Sequence, residues 1–198
     1  MGAMSEGKLD RRQAVAALLR DPGDLLVVSG LGAATYDAAA AGDRPLNFYL
    51  WGAMGGAAMI GLGLALAQPG RRVLVLTGDG EMLMGLGSLA TIAVQAPANL
   101  ALAVLDNGRF GETGSQHSHT AHGTDLAAIA LGCGWPAACT VSDPAELEPL
   151  RARLRREALF AVLRIAPEEP PRVLPPRDGA LLQHRFRAAL LGAAADSA

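Results

Sequence analysis

The chain has 198 residues, 51% of them hydrophobic and 18% charged, with a formal net charge of −2. That length and composition fit one globular domain with a sizeable core and exclude a disordered chain. The charge balance excludes a basic nucleic-acid-binding surface and gives no attraction to an anionic membrane.

Residues 1–8 read as an expression remnant and tail, with a natural start at Met4 and no signal-peptide pattern. Lys8 is the single lysine. No P-loop is therefore present, since that motif needs a lysine directly after its last glycine. The main domain is expected over residues 9–166, followed by a Pro-rich linker and helix over 167–198.

Residues 9–20 carry amphipathic helical spacing. Leu25 to Val28 predicts a short strand ending in Ser29-Gly30-Leu31-Gly32, and a helix follows over 33–41. Asn47 to Trp51 predicts extended chain. Tyr49 to Ala67 has no charged residue and is long enough to span a bilayer. Its glycine and alanine content, and the strand directly after it, predict instead a helix over 55–67 packed tightly against a sheet.

Arg71 to Leu76 predicts a buried strand, ending in Gly78-Asp79-Gly80, with one helix over 81–95. Leu100 to Leu105 is another apolar strand, ending in Asp106-Asn107-Gly108. Residues 108–123 predict a polar loop, long for a compact domain. Thr124 is placed to cap a helix over 125–131. A strand follows over 137–141. Pro144 sits near the first position of the next helix, which runs to Glu157. On that helix Arg151, Arg153, Arg155 and Arg156 predict a solvated face. Residues 158–165 form the last strand. In the C-terminal helix, Leu182, Phe186 and Leu190 lie at helical spacing, suited to docking on a partner. Cys133 and Cys139 predict buried, reduced thiols in a cytoplasmic protein.

Apolar strands alternating with helices predict an α/β fold, a parallel sheet flanked by helices on both faces. In such sheets ligands sit at the carboxyl ends of the strands. Gly30, Gly32, Gly52, Gly78-Asp79-Gly80 and Asp106-Asn107 all fall there.

Asp79 poses a chemical conflict. Backbone N–H groups at a helix start attract an anion, and a carboxylate in the same turn repels it. A divalent cation removes the conflict. Mg²⁺ takes few protein oxygens and completes its shell with phosphate oxygens and water. Asp79 therefore predicts Mg²⁺-diphosphate, with Asn107 as a second oxygen ligand from the next strand end. The two G-x-G stretches, 30–35 and 78–83, lack the third small residue and the acidic partner of a dinucleotide site. His117, His119 and His122 invite a metal reading. Solvated histidines in a lid are the better match, since no element fixes their spacing.

Gly-Asp-Gly at 78–80 and Asn107, each preceded by a strand, resemble the thiamine diphosphate motif. "GDGEMLMGLGSLATIAVQAPANLALAVLDN" is similar to that motif from end to end. The resemblance extends upstream through "WGAMGGAAMIGLGLALAQPGRRVLVLTGDG" and downstream through "LDNGRFGETGSQ", over residues 25–165. Within the thiamine diphosphate-dependent enzymes, "DNGRFGETGSQ" and the pair Asp106-Asn107 are most similar to the sulfopyruvate and phosphonopyruvate decarboxylases, in particular the β-type subunit.

The resemblance implies a thiamine diphosphate-binding fold and Mg²⁺ held by the Asp79 and Asn107 side chains and the Arg109 carbonyl. It implies cofactor contacts at Gly52, Ala53, Met54, Gly78, Asp79, Gly80, Glu81, Asn107, Arg109 and Gly111. Gly80 and Glu81 would give backbone N–H groups to the diphosphate, Gly52 would hold the aminopyrimidine, and Met54 would support the bend at the thiazolium. Glu112, Gln116 and Met54 are the implied catalytic residues. "GLGAAT" departs from some relatives and offers only Ser29 and Thr35 as polar side chains near the diphosphate.

The implied activity is decarboxylation of a small 2-oxo acid. The activating glutamate is implied on a separate pyrimidine-domain, α-type subunit, because the residues ahead of Arg71 leave no room for that domain. This implies a hetero-oligomer with self-association. An acetolactate synthase-like carboligase subunit and a non-catalytic cofactor-binding subunit are the alternatives.

Overall fold

The computed structural model describes residues 8–192, so all of the expected remnant and tail over 1–8 except Lys8, and the last six residues, 193–198, lie outside the described residues. The elements are α1 (Arg11–Leu18), β1 (Leu26–Ser29), α2 (Ala33–Ala40), β2 (Asn47–Tyr49), α3 (Ala57–Ala67) and β3 (Val73–Gly78). Then come α4 (Asp79–Met84), α5 (Ser88–Gln95), β4 (Leu100–Asp106), β5 (Arg109–Phe110), β6 (Gln116–His117) and α6 (Leu126–Gly132). The chain continues as β7 (Ala138–Val141), α7 (Leu147–Leu154), β8 (Leu159–Arg164) and α8 (Gly179–Leu191).

The main sheet has six strands in the order β2-β1-β3-β4-β8-β7, paired in parallel throughout. Its central strands are buried, β4 along its whole length and β3 up to Thr77, as a parallel sheet covered on both faces requires. Val15, Leu18, Ala38 and Leu150 of α1, α2 and α7 pack on one face. Ala58, Leu62, Leu89 and Ala130 of α3, α5 and α6 pack on the other. The glycine-rich α3 lies so close to β3 that a Cβ on Gly61 would stand 2.2 Å from Val75 Cγ2. Close packing on the sheet explains the uncharged run. No helix among the described residues is long and apolar enough to cross a membrane.

From β1 the chain builds outward to β2 on one side, and from β3 it builds to β4 on the other. The crevice between β1 and β3 is therefore the switch point, where an open α/β sheet binds its ligands.

Several local expectations are corrected. The single helix over 81–95 is two, α4 and α5. They separate at Gly85, whose Cβ, were there one, would lie 2.3 Å from the Gly55 carbonyl oxygen. The loop over 108–123 is ordered, with an antiparallel β5–β6 hairpin and 3-10 turns at 111–113 and 119–122. Asp125, not Thr124, caps α6 by accepting from the Ala128 N–H at 3.0 Å. Arg151 and Arg155 are not simply solvated; they donate to the Arg20 and Pro22 carbonyls, at 3.3 and 2.9 Å, and tie α7 to the end of α1. Cys133 and Cys139 are free but only half-buried.

The C-terminal stripe packs on its own chain. Leu182 and Phe186 are buried, and Phe186 meets Phe48 edge-on at 5.6 Å. The proline-rich segment before α8 is fastened down as well. Trp51 Nε1 donates to the Pro176 carbonyl at 2.8 Å. The Arg177 and Arg172 guanidinium groups lie over the Trp51 and Tyr36 rings, at 5.1 and 5.4 Å. Arg11 and Arg12 both pair with the fully buried Asp37, at 2.7 and 2.9 Å. The same two arginines also donate to the Glu168 and Pro171 carbonyls.

Candidate active site

β3 runs into α4 without a spacer, so Asp79 is the first residue of the helix, and it is 1% exposed. Its Oδ2 accepts from the Ser118 hydroxyl and lies 3.2 Å from the Thr120 hydroxyl. Burial pushes the Asp79 carboxyl up from its ordinary pKa; the hydroxyl of Ser118 pulls it down and the charge of Asp106 pushes it further up. A desolvated carboxylate near a second carboxylate is the environment that a bound cation relieves.

Asp106, at the end of β4, is also buried. It accepts from Thr120 at 2.7 Å, from the Gly108 N–H at 3.0 Å and from the Arg164 guanidinium. These bonds fix the corner that presents Asn107. The Asn107 Oδ1 in turn accepts from the Arg109 N–H at 2.9 Å, an Asx turn that folds the chain back into the β5–β6 hairpin.

The ends of β3 and β4 and this hairpin enclose a cavity of about 290 Å³. Met54, Gly78, Asp79, Gly80, Glu81, Asn107, Arg109, Gly111 and Glu112 line it. Gly52, Ala53 and Gln116 do not line it. Gln116 is exposed, and its amide bonds with Thr113 in its own hairpin, at 2.8 and 3.2 Å. Ala53 adopts a positive φ of 56° in the turn before α3, beside the half-exposed Met54.

Two glycines make the enclosure possible. A Cβ on Gly80 would stand 2.6 Å from the Phe110 ring, so only glycine lets the hairpin lie on α4. Gly32 has a positive φ of 73° and faces the Glu112 side chain, 2.4 Å from where a Cβ would be.

Ser29 and Thr35, expected near the diphosphate, are fully buried and spent on each other. Their hydroxyls are 2.7 Å apart, and Thr35 donates to the Gly30 carbonyl at 2.8 Å. The histidines do not converge. His117 meets His122 ring to ring at 5.8 Å, and His119 meets Phe110 at 6.2 Å. Among the described residues no three His, Cys, Asp or Glu side chains gather to hold a metal ion. The residues that matter in this segment are the two between the histidines, Ser118 and Thr120, which the sequence reading passed over. The signal was the alternation in "HSHT", which buries Ser118 and Thr120 and leaves His117 and His119 exposed.

Residues 29–165 match the family described as thiamine pyrophosphate enzyme, C-terminal TPP binding domain. The chain belongs to this family. It is 45% identical over 142 residues to a phosphonopyruvate decarboxylase of Streptomyces viridochromogenes, covering 70% of this chain and 35% of that one. It is 46% identical over 109 residues to sulfopyruvate decarboxylase subunit beta of Methanocaldococcus jannaschii, covering 55% of this chain and 57% of that one. The chain thus spans about a third of the first relative and just over half of the second. In fold it is similar to the benzoylformate decarboxylase of Polynucleobacter necessarius, with a TM-score of 0.70 at 18% identity, over 86% of this chain and 36% of that one.

The residues present suit the family's cofactor. The matched domain contains the whole segment from Gly78 to Asn107. Asp79, with a buried carboxylate, and Asn107, with an amide oxygen, both line the cavity, and hard oxygen donors of this kind suit Mg²⁺.

Proposed function

We propose that this chain is the β-type subunit of a thiamine diphosphate- and Mg²⁺-dependent 2-oxo acid decarboxylase, of the sulfopyruvate or phosphonopyruvate type. The observation that carries the proposal is the buried Asp79 carboxylate, in one cavity with Asn107 and Arg109, in a chain similar to named decarboxylases.

Asp79, Asn107 and the Arg109 carbonyl would hold Mg²⁺. The Gly80 and Glu81 N–H groups would receive the diphosphate at the start of α4, and the side-chain-free Gly78 and Gly111 would admit it closely. The turn at Gly52 and Ala53 would hold the aminopyrimidine, with Met54 beneath the thiazolium. The cofactor supplies an electron sink for the pair released when carbon dioxide leaves. Glu112, which lines the cavity, would hold or pass a proton at the substrate carbonyl. Gln116 follows on the same hairpin, and turning its exposed amide inward would give the substrate carboxylate a donor. The hairpin would also exclude water from the closed site.

A second, pyrimidine-domain subunit would supply the activating glutamate. The name "subunit beta" of the Methanocaldococcus relative supports this division. So do Met54, Met59 and Leu66, large apolar side chains exposed on and beside α3, which suit burial in a hetero-oligomer that also self-associates. The assembly would work in the cytoplasm.

The test is reconstitution with a pyrimidine-domain chain and assay of sulfopyruvate and phosphonopyruvate for carbon dioxide and aldehyde. Turnover that is lost in Glu112→Gln supports the proposal. A ligation product in place of the aldehyde would make the chain a carboligase subunit, and cofactor retention without turnover would make it a binding subunit.

A further inference from the structure

We propose that the Glu81 side chain is a positioning residue, a carboxylate cap supplied by α4 to the N-terminus of α3 that fixes the turn carrying Met54. The first N–H groups of a helix have no partner within it, and a carboxylate beside them is favoured by both hydrogen bonding and the helix dipole. Helix α3 begins after Gly56 with no side-chain cap of its own. Its start is buried, since Ala57 and Ala58 are 1% and 3% exposed.

The Glu81 carboxylate lies at that start. The residue is 5% exposed, and its Oε2 accepts from the Thr77 hydroxyl at 3.0 Å. Burial raises the Glu81 pKa, and the Thr77 hydroxyl and the nearby Ala57 and Gly55 N–H groups pull it down. Oε1 is buried and closes no hydrogen bond of its own, so the nearby backbone N–H groups are the donors open to it. Gly30 makes the room, because a Cβ there would stand 1.7 Å from Oε2. The carboxylate is thus wedged between the ends of β1 and β3 and the first turn of α3.

The turn it faces needs holding. Ala53 and Gly55 both have positive φ, 56° and 89°. "GAMGG" has no polar side chain with which to stabilise itself. α4 braces this turn twice: Gly85 abuts the Gly55 carbonyl, and Glu81 faces its N–H groups. Asp79 and Glu81, two residues apart on one short helix, therefore face different neighbours, Asp79 the Ser118 and Thr120 hydroxyls and Glu81 the Met54 turn. The assignment of that turn to the cofactor rests on the proposed function; the cap itself does not.

The test combines amide hydrogen exchange on the full chain with calorimetric titration of thiamine diphosphate in Mg²⁺. Glu81→Ala is expected to speed exchange over residues 53–58 by roughly tenfold, the scale of a lost helix cap, while β3 and β4 stay protected. Glu81→Gln keeps an acceptor oxygen and is expected to restore most of the protection. Gly30→Ala, whose Cβ displaces the carboxylate, is expected to match Glu81→Ala. If Glu81→Ala does not fold, the contrast between Glu81→Gln and Gly30→Ala decides. Cofactor affinity should fall in the same order. Unchanged protection at 53–58 in Glu81→Ala, or equal loosening of the whole sheet, would overturn the cap. Weakened cofactor binding with protection intact would overturn it too, and place Glu81 in direct contact with the cofactor. Local loosening in a chain that binds no cofactor would keep the cap and count against the proposed function alone.

Discussion

Asp79 and Asp106 are two buried carboxylates bridged by a single hydroxyl. Thr120 Oγ1 lies 3.2 Å from the Asp79 Oδ2 and 2.7 Å from the Asp106 Oδ1. One hydroxyl has one proton, and the shorter contact assigns it to Asp106. Asp79 is left with the Ser118 hydroxyl as its side-chain donor. The carboxylate that ends at the cavity is thus the less well compensated of the two, which is the condition under which it gains most from a cation.

Thr120→Val tests this bridge. The substitution keeps the shape and removes the donor to a buried carboxylate. Stability in urea is expected to fall by about 1–3 kcal/mol, the cost of leaving a buried acceptor unsatisfied. A midpoint unchanged from wild type would show that the bridge contributes nothing.

Asp37→Asn should be more damaging. Asp37 is fully buried between Arg11 and Arg12, and Arg11 is itself 7% exposed. Removing one side of a buried ion pair costs about 3–5 kcal/mol, because the remaining charge is stranded. The same arginines hold the carbonyls of Glu168 and Pro171. Limited proteolysis should therefore cut residues 167–177 faster in the variant, alongside a lower unfolding midpoint.

Alkaline pH should unfasten the β2 edge. Burial pushes the Tyr49 phenol up to about 12, against the Asn47 amide hydrogen bond, which lowers it, and with the nearby Asp43 charge, which adds to it. The folded pKa lies above the ordinary value of 10.0. The contribution to stability is therefore complete below pH 10 and is lost as pH rises toward 12. Unfolding midpoints followed across this window should fall in wild type and fall less steeply in Tyr49→Phe. Parallel slopes would contradict the assignment.

Gly85→Ala should strain the site from behind. The added Cβ would stand 2.3 Å from the Gly55 carbonyl oxygen, a backbone atom that cannot move alone. Overpacking of this kind costs about 1–3 kcal/mol. Thermal unfolding reads the loss, and a neutral result would show that α4 and the Met54 turn are free to separate.

The strands were legible because each is a continuous apolar run of strand length, and the parallel sheet followed from their alternation with helices. The residues at the carboxyl ends of the strands were legible because Gly78, Asp79 and Asn107 follow two such runs. The hairpin at 109–117 was not, because its short strands are polar and its order comes from the Asn107 turn and from packing on Gly80. The break between α4 and α5 was hidden because glycine at 85 is tolerated in a helix until a second backbone, at Gly55, approaches it. Ser118 and Thr120 gave no chemical signal of their own. Their role depends on Asp79 and Asp106, residues distant in sequence that only the folded sheet brings beside them. The stripe at Leu182 and Phe186 was seen, but periodicity says that a helix face is buried and not against which surface.

The central claim is that Asp79 carries a Mg²⁺-diphosphate group. Its most direct test is calorimetric titration of thiamine diphosphate into this chain together with a pyrimidine-domain partner, in Mg²⁺ and then in EDTA, for wild type and Asp79→Ala. Wild type should bind in Mg²⁺, and EDTA and the substitution should each abolish the binding. Binding that survives in Asp79→Ala, or that ignores EDTA, would contradict the claim.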